Sequence, residues 1–183
     1  MNYFDLDQDP HKCAKYHCDK HVCKMSIEYP QLLSTAHRLL DGNQTLGKSK
    51  TGRNVKRWVH PDEDLEQILY KASHINHPTS VWVRESVANY QKVYDVWLEL
   101  LREFTYRYEK IHLSGKKLAS ILSTPPRNIP EGPYSDPPPA MKAFPQCIVE
   151  GDSVQSYRNY YKEAKADFAT WKKRPIPRWY HGK

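Results

Sequence analysis

Apolar residues recur at spacings of three and four from about His11 to Leu40, where Ala14, Cys18, Val22, Met25, Tyr29, Leu32 and Ala36 form one stripe. That periodicity predicts a helix with one face on a core. Pro30 interrupts the run and has no N–H to give to the carbonyl of Ser26, so a kink or two abutting helices are expected there. Ahead of the helix, residues 2–7 alternate as an edge strand or extended lead-in would, ending at the turn-like Asp7-Gln8-Asp9-Pro10. Asp62 is placed to cap a short helix through Leu65, Ile68 and Leu69. From Ser80 to about Glu109 the positions Val83, Val87, Tyr90, Tyr94, Trp97, Leu101, Phe104 and Tyr108 predict the longest, central helix. A short helix is expected near Lys116–Leu122. Asp152 caps a last one whose core face reads Val154, Tyr157, Tyr161, Ala164, Phe168 and Trp171.

Three stretches lack this periodicity. Residues 42–58 read as a basic, glycine-containing loop with five cations and no acid. Residues 125–145 hold eight of the fourteen prolines and read as a wrapping loop. Residues 172–183 form a basic aromatic tail. No internal repeat and few strand signals are present. The expected architecture is therefore all-α, one helical domain spanning 1–183, in keeping with the length.

Charge changes the picture next. A formal net charge of +7 makes an anionic partner the first expectation, nucleic acid by default and duplex DNA in particular. Thirteen Tyr and five Trp, many beside Lys or Arg, suit base stacking as well as core filling. No apolar run is long enough to span a membrane, and the start lacks the basic and apolar regions of an export signal. No membrane contact, a cytoplasmic location and a monomer are expected. The four cysteines then belong to no disulfide framework.

A second stripe on the first helix, His17, His21, Lys24, Glu28, Gln31 and Thr35, falls within roughly 80° at 100° per residue. It places one carboxylate among donors and cations, a set suited to acid–base work on an anionic polymer, with Glu28 as the proton-transfer group. The alternative is a solvated face with ion pairs such as Lys24 with Glu28. Cys13, His17 and His21 share one face and could ligate zinc, but Cys18 and Cys23 point elsewhere, so no metal and no cofactor is expected. Gly42–Ser49 matches the phosphate-loop pattern GxxxxGK[ST] without its preceding strand and following helix. The segment reads instead as backbone-phosphate contacts by Lys48, Lys50, Arg53, Lys56 and Arg57. His77 and Arg84 are expected to face the groove of Glu28, and Arg178, Trp179 and Tyr180 to stack on or contact a strand.

Asp19-Lys20-His21 followed by Glu28-Tyr29-Pro30 gives the spacing D-x-H-x6-E-x-P, which resembles the first helix of the phage pyrimidine-dimer DNA glycosylase (endonuclease V) family. Asn76-His77-Pro78 and the end Trp179-Tyr180-His181-Gly182-Lys183 are similar to segments of the family in the same order. The resemblance implies an all-α protein that flips a nucleotide out of DNA and attacks the sugar with its N-terminal amine. Strand cleavage by β-elimination follows, with Glu28 serving the sugar and imine protons and no metal. An α-amine suits this role because its pKa, about 7.7–8.0, leaves a substantial unprotonated fraction at neutral pH. Asn2 is large enough to leave Met1 in place, so Met1 would supply the amine. Ile27 and Gln31 stand where the family carries arginines. The alternative function is a non-catalytic nucleic-acid- or nucleotide-binding phage accessory protein, directed against the host, on the same fold.

Overall fold

The computed structural model describes residues 2–180, so Met1 and the last three residues of the expected tail lie outside it. Its elements run α1 (Pro10–Tyr16), α2 (Asp19–Leu40), β1 (Asn43–Lys48), β2 (Asn54–Val59), α3 (Glu63–Ile68), α4 (Pro78–Val83), α5 (Val87–Tyr108), α6 (Leu113–Leu122), a 3-10 turn (Pro145–Cys147) and α7 (Ser153–Ala164). The all-α expectation is corrected by the β1–β2 pair: helix accounts for 49% of the chain and strand for 7%, a weakly mixed architecture. The strands fall in the stretch expected to be a basic loop.

The two long helices set the frame. His37 meets Tyr90, the carbonyl of Ser26 meets Trp97, and Asp19 meets Arg107, so α2 and α5 run antiparallel over their lengths. At about 1.5 Å per residue, 22 residues make each about 33 Å long. The expected face of α2 is buried, with Val22, Met25, Tyr29 and Leu32 packed in one cluster with Tyr90 and Trp97 of α5. The core face of α5 is turned from the expected one, since Val93, Val96 and Leu100 are buried while Val87, Leu101, Phe104 and Tyr108 are only partly so. Residues 3–6 thread into that cluster as an extended lead-in. Tyr3 stands between Tyr29 and Trp82, with ring centroids 5.4 Å from each.

Helix boundaries depart from the periodicity in three places, each for a visible reason. The first helix breaks at His17–Cys18, not at Pro30. There the buried guanidinium of Arg107 donates to the carbonyls of Lys15 and His17, which ends α1. Pro30 stays inside α2, because the carbonyl it leaves free on Ser26 accepts from the Ser114 hydroxyl at 2.7 Å and the Trp97 indole at 3.2 Å. The central helix is split at Arg84–Ser86: Ser86 caps α5 by accepting from the N–H of Asn89, and the N–H of Val87 donates to Pro130 of the proline-rich loop. Finally, α7 stops at Ala164, so Phe168 and Trp171 reach the core from a turn-rich segment. Asp62 and Asp152 cap α3 and α7 as expected.

Candidate nucleic-acid interface

The stretch 42–59 leaves the domain as a two-stranded antiparallel ribbon. Asn43 pairs with Val59 and Lys48 with Asn54, and the turn between carries Gly52 at φ +78°, a conformation that glycine adopts without strain. Gly42 serves a different need at the base, since a Cβ there would stand 2.4 Å from the Arg38 carbonyl oxygen. None of the twelve strand residues is buried. Lys48 and Lys56 share one face with Leu46 and Trp58, Arg57 lies on the other with Thr45, and Lys50 and Arg53 flank the turn. The phosphate-loop match is therefore a β-strand followed by a turn, without the helix N-terminus that such a loop requires.

The ribbon is held at its base by one side chain. Arg38, 3% exposed, uses all five of its N–H groups: to the carbonyls of Tyr70, Trp58, Glu66 and Leu69 and to the Glu66 carboxylate. It joins α2, β2, α3 and the segment after α3 at one point.

The polar stripe on the first helix has a different fate. His17 is fully buried: its Nδ1–H donates to the Cys13 carbonyl at 2.7 Å and its Nε2 accepts from the Tyr29 hydroxyl at 2.9 Å. Burial pushes its imidazole down to about 4. His21 stacks on Phe4 with centroids 4.2 Å apart, is hydrogen-bonded to the Tyr161 hydroxyl, and is held far below the usual histidine range, first by burial and then by neighbouring positive charge. Neither ring presents a face to a phosphate. This corrects the expectation for both: the lead-in and α7 cover the N-terminal end of the stripe with aromatic rings. Cys13 donates its thiol to the Phe4 carbonyl, so the Cys13–His17–His21 set is occupied by core hydrogen bonds. Lys24 is exposed and pairs with Glu28 at 3.4 Å, leaving Glu28 half-buried at the rim.

The remaining positions divide in the same way. His77 caps α4 by accepting from the N–H of Thr79, and burial lowers its pKa to about 4. Arg84 closes the preceding turn, donating to the carbonyls of Ile75 and Ser80. Both are positioned by backbone geometry rather than free for a ligand. Trp179 packs edge-on against Tyr16 and Tyr161 beneath the Arg158 guanidinium, and Tyr180 lies against Trp171 at 4.7 Å. The expected stacking pair is thus turned into the domain, while Arg178 stays exposed. Of the expected contacts, the structure brings together the ribbon cations as one exposed group and separates them from Glu28, His77 and the tail.

One group of chemical side chains was missed by the sequence reading. His37, Asp41 and His60 bring an imidazole nitrogen, a carboxylate oxygen and a second imidazole nitrogen within 4.8 Å of one another. The i, i+4 spacing of His37 and Asp41 was a signal on α2. His60 joins them through the ribbon register: pairing Asn43 with Val59 returns the chain to the end of α2.

No family model matches this chain, and neither a curated protein nor a solved structure is similar to it. Among the described residues, no helix is long and apolar enough to cross a membrane.

Proposed function

We propose that the protein binds nucleic acid, duplex DNA in the first instance, through the β1–β2 ribbon. One observation carries this: an exposed antiparallel ribbon with Lys48, Lys50, Arg53, Lys56 and Arg57 and no carboxylate along it. Strands of six residues give an arm about 20 Å long, and a two-stranded β-ribbon fits the major groove of B-form DNA. Leu46, 77% exposed near the tip, supplies apolar contact of the kind that thymine methyl groups accept. If all five cations reach phosphates, log affinity falls with log salt with a slope of about −4.5. Fluorescence anisotropy of a labelled duplex, titrated across salt, reads this directly. Changing Lys56 and Arg57 to Gln should reduce the slope by about 1.8. A salt-independent affinity, or a double variant that binds as the parent does, refutes the proposal.

A second reading, a DNA glycosylase with abasic lyase activity using Glu28 and the Met1 amine, is favoured by the buried lead-in. The N–H of Phe4 donates to the Tyr29 hydroxyl at 3.0 Å, so this part of the lead-in is held against the helix that bears Glu28, while Asn2 donates to the Ala140 carbonyl of the proline-rich loop at 3.2 Å. Borohydride trapping on abasic and ultraviolet-irradiated duplexes tests it. A covalent adduct that is lost in Glu28→Gln supports this reading, and the lack of any adduct removes it.

A further inference from the structure

Where α2 ends and the ribbon returns, three potential metal ligands converge on a cavity of about 380 Å³. His37 and His60 are 4% and 7% exposed, and the Nδ1 of His37 and the Nε2 of His60 are buried atoms without a hydrogen-bond partner. Buried imidazole nitrogens without partners are uncommon in folded proteins and call for an explanation. The Asp41 carboxylate completes the group. The cavity wall also carries Asp62 and Asp64 against the single cation Arg127, so its charge favours a positive ligand over an anion. We propose that His37, Asp41 and His60 bind a first-row divalent metal ion, zinc being the best match to two imidazoles and a carboxylate.

The surrounding bonds already orient two of the three ligands. Tyr90 donates its hydroxyl to the Leu122 carbonyl at 2.9 Å, so it accepts from the Nε2–H of His37 at 3.0 Å. That fixes the His37 tautomer with its lone pair on Nδ1, the atom facing the cavity, and is the outer-shell hydrogen bond that metal-bound histidines characteristically make. Asp41 is held by the backbone N–H groups of Arg127 and Asn128, at 2.8 and 3.0 Å, one to each carboxylate oxygen. Oδ1 also accepts from the Asn128 side-chain amide at 3.1 Å, so Oδ2 is the oxygen that retains a lone pair for a metal. His60 is the ligand that must adjust. Its Nδ1 accepts from the Asp62 N–H at 3.1 Å, so binding through Nε2 moves the ring proton to Nδ1 and gives up that bond. Ligands about 2.1 Å from a tetrahedral ion stand about 3.4 Å apart. Bringing the three atoms from within 4.8 Å to that spacing is a movement of the size that side-chain torsions supply. Three protein ligands leave a coordination position open toward the cavity, the arrangement of a metal that also holds water.

The test uses the full chain, stripped with a chelator and titrated with zinc chloride or cobalt chloride. One zinc per chain should bind, and saturating zinc should raise the melting temperature by mass action. Cobalt should give the visible absorption of a site with nitrogen and oxygen ligands. X-ray absorption of the zinc-loaded protein should report two imidazoles and no sulfur, a readout that requires no variant. His60→Gln and Asp41→Asn should each weaken zinc binding at least tenfold, while His74→Gln, at an exposed histidine outside the group, leaves it unchanged. Absence of one-to-one binding, a sulfur ligand from a cysteine, or affinity unchanged in His60→Gln overturns the proposal. None of these outcomes depends on whether the ribbon binds DNA.

Discussion

Arg38→Met removes the group that ties the ribbon to the domain, and its size can be worked from the bonds. The side chain is 3% exposed and donates five hydrogen bonds, four of them to main-chain carbonyls. A hydrogen bond to a charged group contributes about 1.5–3 kcal/mol, and a buried acceptor left unpaired costs about 1–3 kcal/mol. The terms do not add, because water can reach the Glu66 carboxylate, which is 37% exposed. Leaving two or three of the carbonyls unpaired sets the magnitude expected here, about 3–5 kcal/mol. Total stability for a domain is about 5–15 kcal/mol, so the variant should fold but melt about 6–20 °C lower. Urea unfolding followed by circular dichroism measures the difference. Arg38→Lys should fall between parent and Met, since an ammonium has three donors and no planar fork. If Arg38→Met lies within about 1 kcal/mol of the parent, or Lys restores full stability, the five-bond account is wrong.

Acidification gives a second expectation. His17 is held at about 4 and His21 lower still, so between pH 4 and 6.5 each takes up a proton only on unfolding. Asp5 acts in the opposite sense: burial raises its carboxyl to about 7, so in the same window it is protonated when folded and ionised when unfolded. His37 and His77 are also held at about 4, so in the metal-free protein four histidines against one carboxyl give a net uptake of about three protons on unfolding, and stability falls as pH drops by about 4 kcal/mol per pH unit. Asp5→Asn should raise stability at pH 8 and steepen the acid slope by about a third, to about 5.4 kcal/mol per unit; superimposable pH–stability curves would reject this. Trp179→Ala should lower stability by about 2 kcal/mol, less than a fully buried tryptophan, and leave DNA affinity unchanged; a selective loss of binding would return that ring to the interface. Glu28→Gln should change stability by less than about 0.5 kcal/mol, because its i, i+4 partner Lys24 is an exposed side chain, and thermal melts would show a larger effect if the half-buried carboxylate were structural.

The sequence is most legible where local chemistry decides the structure. Asp62 and Asp152 cap helices through their own side chains, and the apolar stripe of α2 declares the face that packs. It is least legible where the deciding group is far along the chain. The break after α1 depends on Arg107, ninety residues beyond the carbonyl it binds, and the continuity of α2 through Pro30 depends on Trp97 and Ser114. The ribbon was hidden for another reason: both of its faces meet solvent, so no alternation of apolar and polar residues marks it as strand. At the candidate site, the cations expected on a loop at 42–58 lie on a ribbon instead, a conformation that the sequence did not declare. The histidine stripe read as a polar face because nothing local indicates that Phe4 and Tyr161 will close over it.

The register of the ribbon has one further consequence. Because Asn43 and Val59 are paired neighbours, the chain leaves the helical body and rejoins it at almost the same spot. Beyond the base, where Arg38 grips Trp58, the ribbon is an appendage whose length and composition the body does not dictate. Two residues could be trimmed from each strand, or a differently charged arm installed, with the packing of α2 on α5 untouched. Selection can therefore retune what the arm grips without renegotiating the fold that carries it.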